Sequence, residues 1–360
     1  MSMDWTYKGL QTLIAENSLI RLVVLLGKGA DIVELRYKPL DLDLLWHSPI
    51  GYHNPASTPV SSMSSSGSFL DFYGGGWQDI LPMAGWGIVK HRGAEFGLHG
   101  ETPLLPWECA ILQEEGKEVS AKLQVAGVRY PYRVTKTIKL RADESKFELH
   151  EVLENLSSQE LEFSWLQHPA LGETLSAPGC RIWVPARKVI VGPAKQAPYP
   201  YLQEGTYEWP HAKTIDGREV DLSTLPSNDA IAGETVYLSG LSDGWYAITE
   251  GKGSVGLAIR WTKEVWPYLW FWQNYNPPDH PWYGIPRNIA IEPCTSYPHT
   301  GILDQIKNES ALRLAGRSSI EATLVASIFS GISEVNEVDS QGNVVGTTKN
   351  HDTKDERITS

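Results

Sequence analysis

The sequence predicts an all-β protein, a large antiparallel β-sandwich with few short helices. Apolar and polar residues alternate in short runs. Within Lys146 to Asn155, Phe147, Leu149 and Leu153 share one face, while Lys146, Glu148, His150 and Glu154 take the other. The runs are separated by Gly, Pro, Asn and Asp rather than by helical stretches, which suits sandwich strands and not βαβ units. The 3.6-residue period is nearly absent, and only Thr300 to Leu314 offers a short helix.

The elements follow in chain order. Ser18 to Leu26 is an apolar, β-branched run stopped by Gly27-Lys28-Gly29, and Asp31 to Tyr37 is its partner, so residues 18 to 37 form a hairpin with a longer loop. Leu42 to Trp46 adds a third strand. From Tyr52 to Gly76 the composition turns to Ser, Gly, Pro and Asn, a long irregular loop of the kind that is functional or disordered in compact domains. Further strands are expected at Val119 to Ala126, Tyr130 to Arg141, Glu160 to Gln167, Lys188 to Val191, Val236 to Leu238, Trp245 to Thr249, Val255 to Trp261 and Ile320 to Phe329. Ala194 to Glu234 is rich in proline, yet Tyr199, Tyr201, Tyr207 and Trp209 mark an ordered excursion over a sheet rather than a linker. There is no internal repeat. We expect one domain over residues 1–335 and a polar C-terminal extension over 336–360, partly frayed.

Composition narrows the partners. The 360 residues are 41% hydrophobic and 21% charged, ordinary for a globular chain with a sizeable core. Net charge is −12 with no basic block, so neither nucleic acid nor an anionic membrane is an expected partner, and a neutral substrate is the default. No apolar run is long enough for a membrane span, and the first residues have no basic-then-apolar signal pattern. Three scattered cysteines, Cys109, Cys180 and Cys294, argue against a disulfide framework and fit a cytoplasmic location.

Chemistry concentrates in three motifs. In Asn288 to Pro298 the apolar run Ile289-Ala290-Ile291 delivers Glu292, and Pro293 is expected to end the strand, since proline has no ladder donor. Just upstream, Tyr268 to Gln273 contains Trp270 and Trp272, flat faces for a ring. A carboxylate beside such rings is desolvated, which raises its pKa towards the range useful for proton transfer. Leu98-His99-Gly100 sets a histidine between glycines, after Gly74-Gly75-Gly76-Trp77-Gln78. Trp165-Leu-Gln-His168-Pro169 carries a second histidine to an expected strand end, with alternation placing Trp165 and His168 on opposite faces.

Alone, Glu292 suits a strand-end ion pair better, His168 a structural role and most tryptophans the core, while His99 is evenly balanced between a satisfied turn histidine and a site residue. Together they suit acid–base chemistry, or a metal site of two histidines and a carboxylate, although no His-x-His or helical His-x-x-x-His spacing supports the metal.

In their order and separation, the Gly-rich segment, Leu98-His99-Gly100, the strand ending at His168 and Ile291-Glu292-Pro293 resemble the aldose 1-epimerase (galactose mutarotase-like) family over roughly residues 10 to 330. The resemblance implies that family's supersandwich, a sugar bound on a concave face, and no metal or cofactor. It implies Glu292 as the general base at the anomeric hydroxyl, His168 as the general acid at the ring oxygen, and His99 holding the sugar. Asp243 is matched to the family's substrate-fixing aspartate. The family's arginine in the Gly-rich segment is absent, so either Gln78 or Arg92 substitutes or the substrate differs, and Trp77, Trp270 and Trp272 are the expected sugar platform. Other readings stay open: a non-catalytic sugar-binding protein, a hydrolase or lyase with Glu101 or Glu173 as second carboxylate, or a sugar-phosphate epimerase using Arg92 and Arg287.

Overall fold

The alternating runs pair into two large antiparallel sheets in the computed structural model, which describes residues 1–58, 69–251 and 253–348. The larger sheet has twelve strands. Its centre is built from β1 (Trp77–Ile80), β2 (Leu166–Leu171), β3 (Ala232–Ser239), β4 (Tyr268–Tyr275) and β5 (Arg287–Cys294), in the spatial order β1-β2-β5-β4-β3. The hairpin Ile20–Leu25 and Asp31–Tyr37 continues the sheet beyond β1. Lys188–Val191 and Gly205–Glu208 continue it beyond β3, so the proline-rich excursion is ordered as expected.

The second sheet has eight strands, among them Tyr132–Arg141, Lys146–Asn155, Gly256–Trp261 and Ser319–Phe329. Alternation serves it directly. Phe147, Leu149 and Leu153 are buried against the first sheet in one continuous apolar cluster with Leu22, Leu35, Trp77, Trp165 and Ile291. One buried-face position, Glu151, is charged. It lies 3.8 Å from Lys136 of the neighbouring strand, and Lys136 also pairs with Asp79 of β1. Gln167 of β2 donates to both Asp79 and Glu151. Removing charges from water is costly unless they are paired and hydrogen-bonded, and this network meets that condition.

Several expectations need correcting. Pro169 and Pro293 do not end their strands; β2 and β5 run through them. Glu160 to Gln167 is not one strand: Leu161–Phe163 pairs with Leu312–Leu314, and β2 starts afresh at Leu166. Leu42 to Trp46 is a strand only over Leu42–Asp43. The expected helical stretch contains one short helix, Ile302–Lys307, and a second single turn lies at Glu173–Ser176. Ile332–Val338 and Val344–Thr348 form a hairpin whose Val335 and Val338 pack on Trp245, Ala247 and Ala258 of the second sheet. A strand therefore crosses the boundary expected at residue 335. Much of the expected 52–76 loop and the last residues of the chain lie outside the described residues. No described helix is long and apolar enough to cross a membrane.

Candidate active site

Register between β2 and β5 brings the two key side chains together. Leu166 lies opposite Cys294 and Ala170 opposite Ala290. Counting inward from either pair puts His168 directly opposite Glu292. No ladder pairing joins the strands between those pairs, where Pro169 and Pro293 supply no N–H. Directly opposite residues project from the same face of a sheet, and the imidazole Nε2 of His168 is 3.5 Å from Oε1 of Glu292. The same row continues across the sheet. Gln78 of β1 lies opposite His168, Trp270 of β4 opposite Glu292, and Tyr237 of β3 opposite Trp270.

The rows on either side are mostly apolar. One holds Ile80, Leu166 and Cys294; the other holds Ala170, Ala290 and Trp272, with Thr235 at its end. Rings close over the His168–Glu292 pair: Tyr73 at 5.7 Å and Trp272 at 5.6 Å from the His168 ring, with Trp282 against both Tyr73 and Trp272. These rings, with Thr235, His168 and Glu292, line one pocket.

His99 enters from the opposite wall, its ring 5.5 Å from that of His168 and 4.7 Å from that of Phe69. Its backbone is left-handed at φ +60°, as is that of Gly100 at +69°. A Cβ at position 100 would come within 2.4 Å of the Leu81 carbonyl oxygen, so glycine is required there. This turn is what aims His99 inward. The sequence motif indicated an accessible imidazole, and it reaches the pocket.

Electrostatics follow from burial. Glu292 is 2% exposed and, among the described residues, no lysine or arginine lines the pocket, so burial pushes its carboxyl well above the usual range. Burial lowers the His168 imidazole to about 4 and holds His99 well below its usual value, helped by the neighbouring histidines. Burial thus favours the neutral form of each of these groups, imidazole and carboxyl alike. The Nδ1 atoms of His99 and His168 and the hydroxyl of Tyr73 are buried without a protein partner. Buried polar atoms in this condition are the ones a polar ligand satisfies.

Of the expected residues, Glu292, His168, His99, Trp270 and Trp272 meet in this pocket. Trp77, Gln78, Arg92 and Asp243 lie outside it. Trp77 projects to the inter-sheet side, donating from its indole to Gln167 at 2.8 Å. Gln78 is on the pocket face, but its amide donates to Asp31, which also holds the buried Lys28. Arg92 makes a two-pronged pair with Glu162, and Asp243 the same with Arg260. The other candidates are also engaged elsewhere. Glu101 accepts from the Val128 and Arg129 amides, Arg287 donates to three backbone carbonyls, and Glu173 borders a separate groove.

Sequence reasoning missed Tyr73, Trp86, Trp282, Thr235 and His299. His299 follows the Glu292 motif by seven positions, and nothing local marks it. Both its ring nitrogens are engaged: Nδ1 accepts from Tyr237 and Nε2 donates to the Gln196 carbonyl at 3.1 Å. Among the described residues no three-residue cluster of His, Cys, Asp and Glu has metal-binding geometry.

Comparison with known proteins agrees on the fold. A family model described as a domain of unknown function, DUF4432, matches residues 7–319. No curated protein matches the chain by sequence. Solved structures do match in shape. A Klebsiella pneumoniae protein described as a candidate aldose 1-epimerase superposes with a TM-score of 0.68 at 17% identity, covering 91% of this chain and 82% of its own. A Synechocystis protein gives 0.64 at 15% identity, covering 92% and 99%. A galactose mutarotase-like protein from Clostridium acetobutylicum gives 0.63 at 13%, covering 91% and 97%. The architecture is thus that of the galactose mutarotase-like proteins.

Proposed function

We propose that this chain, which belongs to the DUF4432 family, is an aldose 1-epimerase-like isomerase that interconverts the α and β anomers of an uncharged sugar. The observation that carries the reading is the cross-strand pair His168 and Glu292, 3.5 Å apart in an aromatic pocket. Mutarotation removes a proton from the anomeric hydroxyl and delivers one to the ring oxygen. The ring opens, the C1–C2 bond rotates, and closure reverses both transfers. Two groups sharing one proton are sufficient for this chemistry.

With no sugar bound, that proton rests on Glu292. A hydroxyl donating to Glu292 and a ring oxygen accepting from His168 both favour the charged arrangement. Glu292 is then the base and His168 the acid. His99, whose Nδ1 has no protein partner, holds the oxygen on which charge develops.

The rival readings find less support. Among the described residues the pocket wall contains one carboxylate, Glu292, whereas glycoside hydrolysis normally uses two. Neither Arg92 nor Arg287 faces it, so among the described residues a sugar phosphate meets no cation in the wall. A sugar-binding protein without catalysis needs no proton-sharing pair. Two-dimensional NMR exchange between anomers decides the matter. Glu292→Gln and His168→Asn should each lower the enzymatic rate by at least about a hundredfold. Rates equal to buffer for wild type across a broad sugar panel would refute the proposal.

A further inference from the structure

Ring packing accounts for the aromatic part of Tyr73 and leaves its hydroxyl over. The residue is 3% exposed and lines the pocket. Phe69 stacks on its ring at 5.2 Å, Trp46 and Trp282 lie at 5.8 and 6.2 Å, and the His168 ring stands edge-on at 5.7 Å. Yet the hydroxyl has no hydrogen-bond partner among the described residues. A hydroxyl buried in this way has lost its bonds to water and made none to protein. Phenylalanine would fill the same place without that cost.

Other tyrosines share the condition, Tyr246 and Tyr275 among them, but they lie between the sheets. Among the described residues, the pocket-lining side chains with a buried, unpartnered polar atom are Tyr73, His99 and His168. The indoles of Trp86, Trp272 and Trp282 line the pocket too, and none of their N–H groups is in that state. The three residues adjoin: the two imidazole rings are 5.5 Å apart, and Phe69 packs on both Tyr73 and His99. Unpartnered polar atoms gathered on one pocket are what a polar ligand completes. Burial, with Glu292 nearby, holds the phenol well above its usual pKa, so it keeps its proton and serves as a donor. Resting on the mutarotase reading, we propose that Tyr73 is a substrate-binding residue whose hydroxyl donates to an oxygen of the sugar held beside His168 and Glu292. Its ring is fixed before the sugar arrives, so the bond forms with little further ordering.

Tyr73→Phe tests this, because it removes one oxygen and keeps the ring. Tyr275→Phe is the control, deleting an equally unpartnered hydroxyl away from the pocket. Urea midpoints without sugar, and anomer exchange by NMR on a sugar that wild type turns over, are measured for both variants and wild type. We expect Tyr73→Phe to keep or raise the midpoint while its kcat/KM falls by about fivefold to a hundredfold, the loss when a bound sugar oxygen is left unpaired. Tyr275→Phe should exchange at the wild-type rate. Undiminished exchange by Tyr73→Phe, a lowered midpoint for it, or an equal loss of exchange in both variants would overturn the inference and leave the mutarotase reading intact. Absence of exchange by wild type across a broad sugar panel would overturn both.

Discussion

Replacing Glu292 by glutamine should cost activity and add stability, with a pH dependence that exposes the cause. The Glu292 carboxyl is 2% exposed, faces rings and a neutral imidazole, and, among the described residues, has no cation in the pocket wall. Its folded-state pKa is therefore raised above that of the unfolded chain. Between those two values the folded protein binds more protons than the unfolded one, so stability falls as pH rises, by about 1.4 kcal/mol per pH unit. Below the unfolded pKa the carboxyl is neutral in both states and imposes no cost. Glutamine has nearly the same shape and does not titrate. The variant should therefore gain on wild type progressively as pH rises above the unfolded carboxyl value, by at most about 1.4 kcal/mol per pH unit. The buried histidines titrate in both proteins and largely cancel in the difference. Urea unfolding of both proteins at pH 6, 7 and 8 reads the gap from midpoints and slopes. A gap that stays constant with pH would show that the carboxyl is solvated. The account of a dry, proton-sharing pair would then fail, whatever the variant does to anomer exchange.

Other expectations separate the site from its scaffold. His99→Asn keeps a residue that tolerates the left-handed turn and removes the imidazole; anomer exchange should drop by about tenfold to a thousandfold while thermal unfolding changes little. Arg92→Met deletes a pair whose arginine is 41% exposed on its side chain. It should leave exchange kinetics unchanged and alter stability by no more than about 1 kcal/mol, and a large rise in KM would show that Arg92 reaches the sugar. Lys136→Met strands Asp79 and Glu151 between the sheets, and urea unfolding should show a loss of about 3–5 kcal/mol. Trp77→Phe removes the indole donor to Gln167; it should cost about 1–3 kcal/mol in the same assay with KM unaffected, because Trp77 faces away from the pocket.

Period-two alternation was sufficient to establish the all-β class. In Lys146 to Asn155 it marked the strand at its observed limits, because one face is apolar and the other meets water. It also placed Trp165 and His168 on opposite sides of the chain, as they are found. Proline was misleading for a clear reason. Local rules make it a strand terminator, but Pro169 and Pro293 occupy a stretch where β2 and β5 form no ladder, so the missing N–H costs nothing there. Residue type and motif order also picked out Glu292, His168 and His99, together with Trp270 and Trp272, which line one pocket.

What residue type could not decide was direction and competition. Trp77 and Gln78 are neighbours, yet one strand parity sends Trp77 between the sheets and Gln78 to the pocket face, where a buried Asp31 takes its amide. Arg92 and Asp243 were plausible sugar ligands until the fold gave each an oppositely charged partner of matching shape. Tyr73, Trp282 and His299 join the wall only through chain crossings far from their own motifs. A sequence carries alternation and chemical type because both are local. Which polar groups remain unspent in a cavity depends on every partner within reach, and only the packed chain determines that.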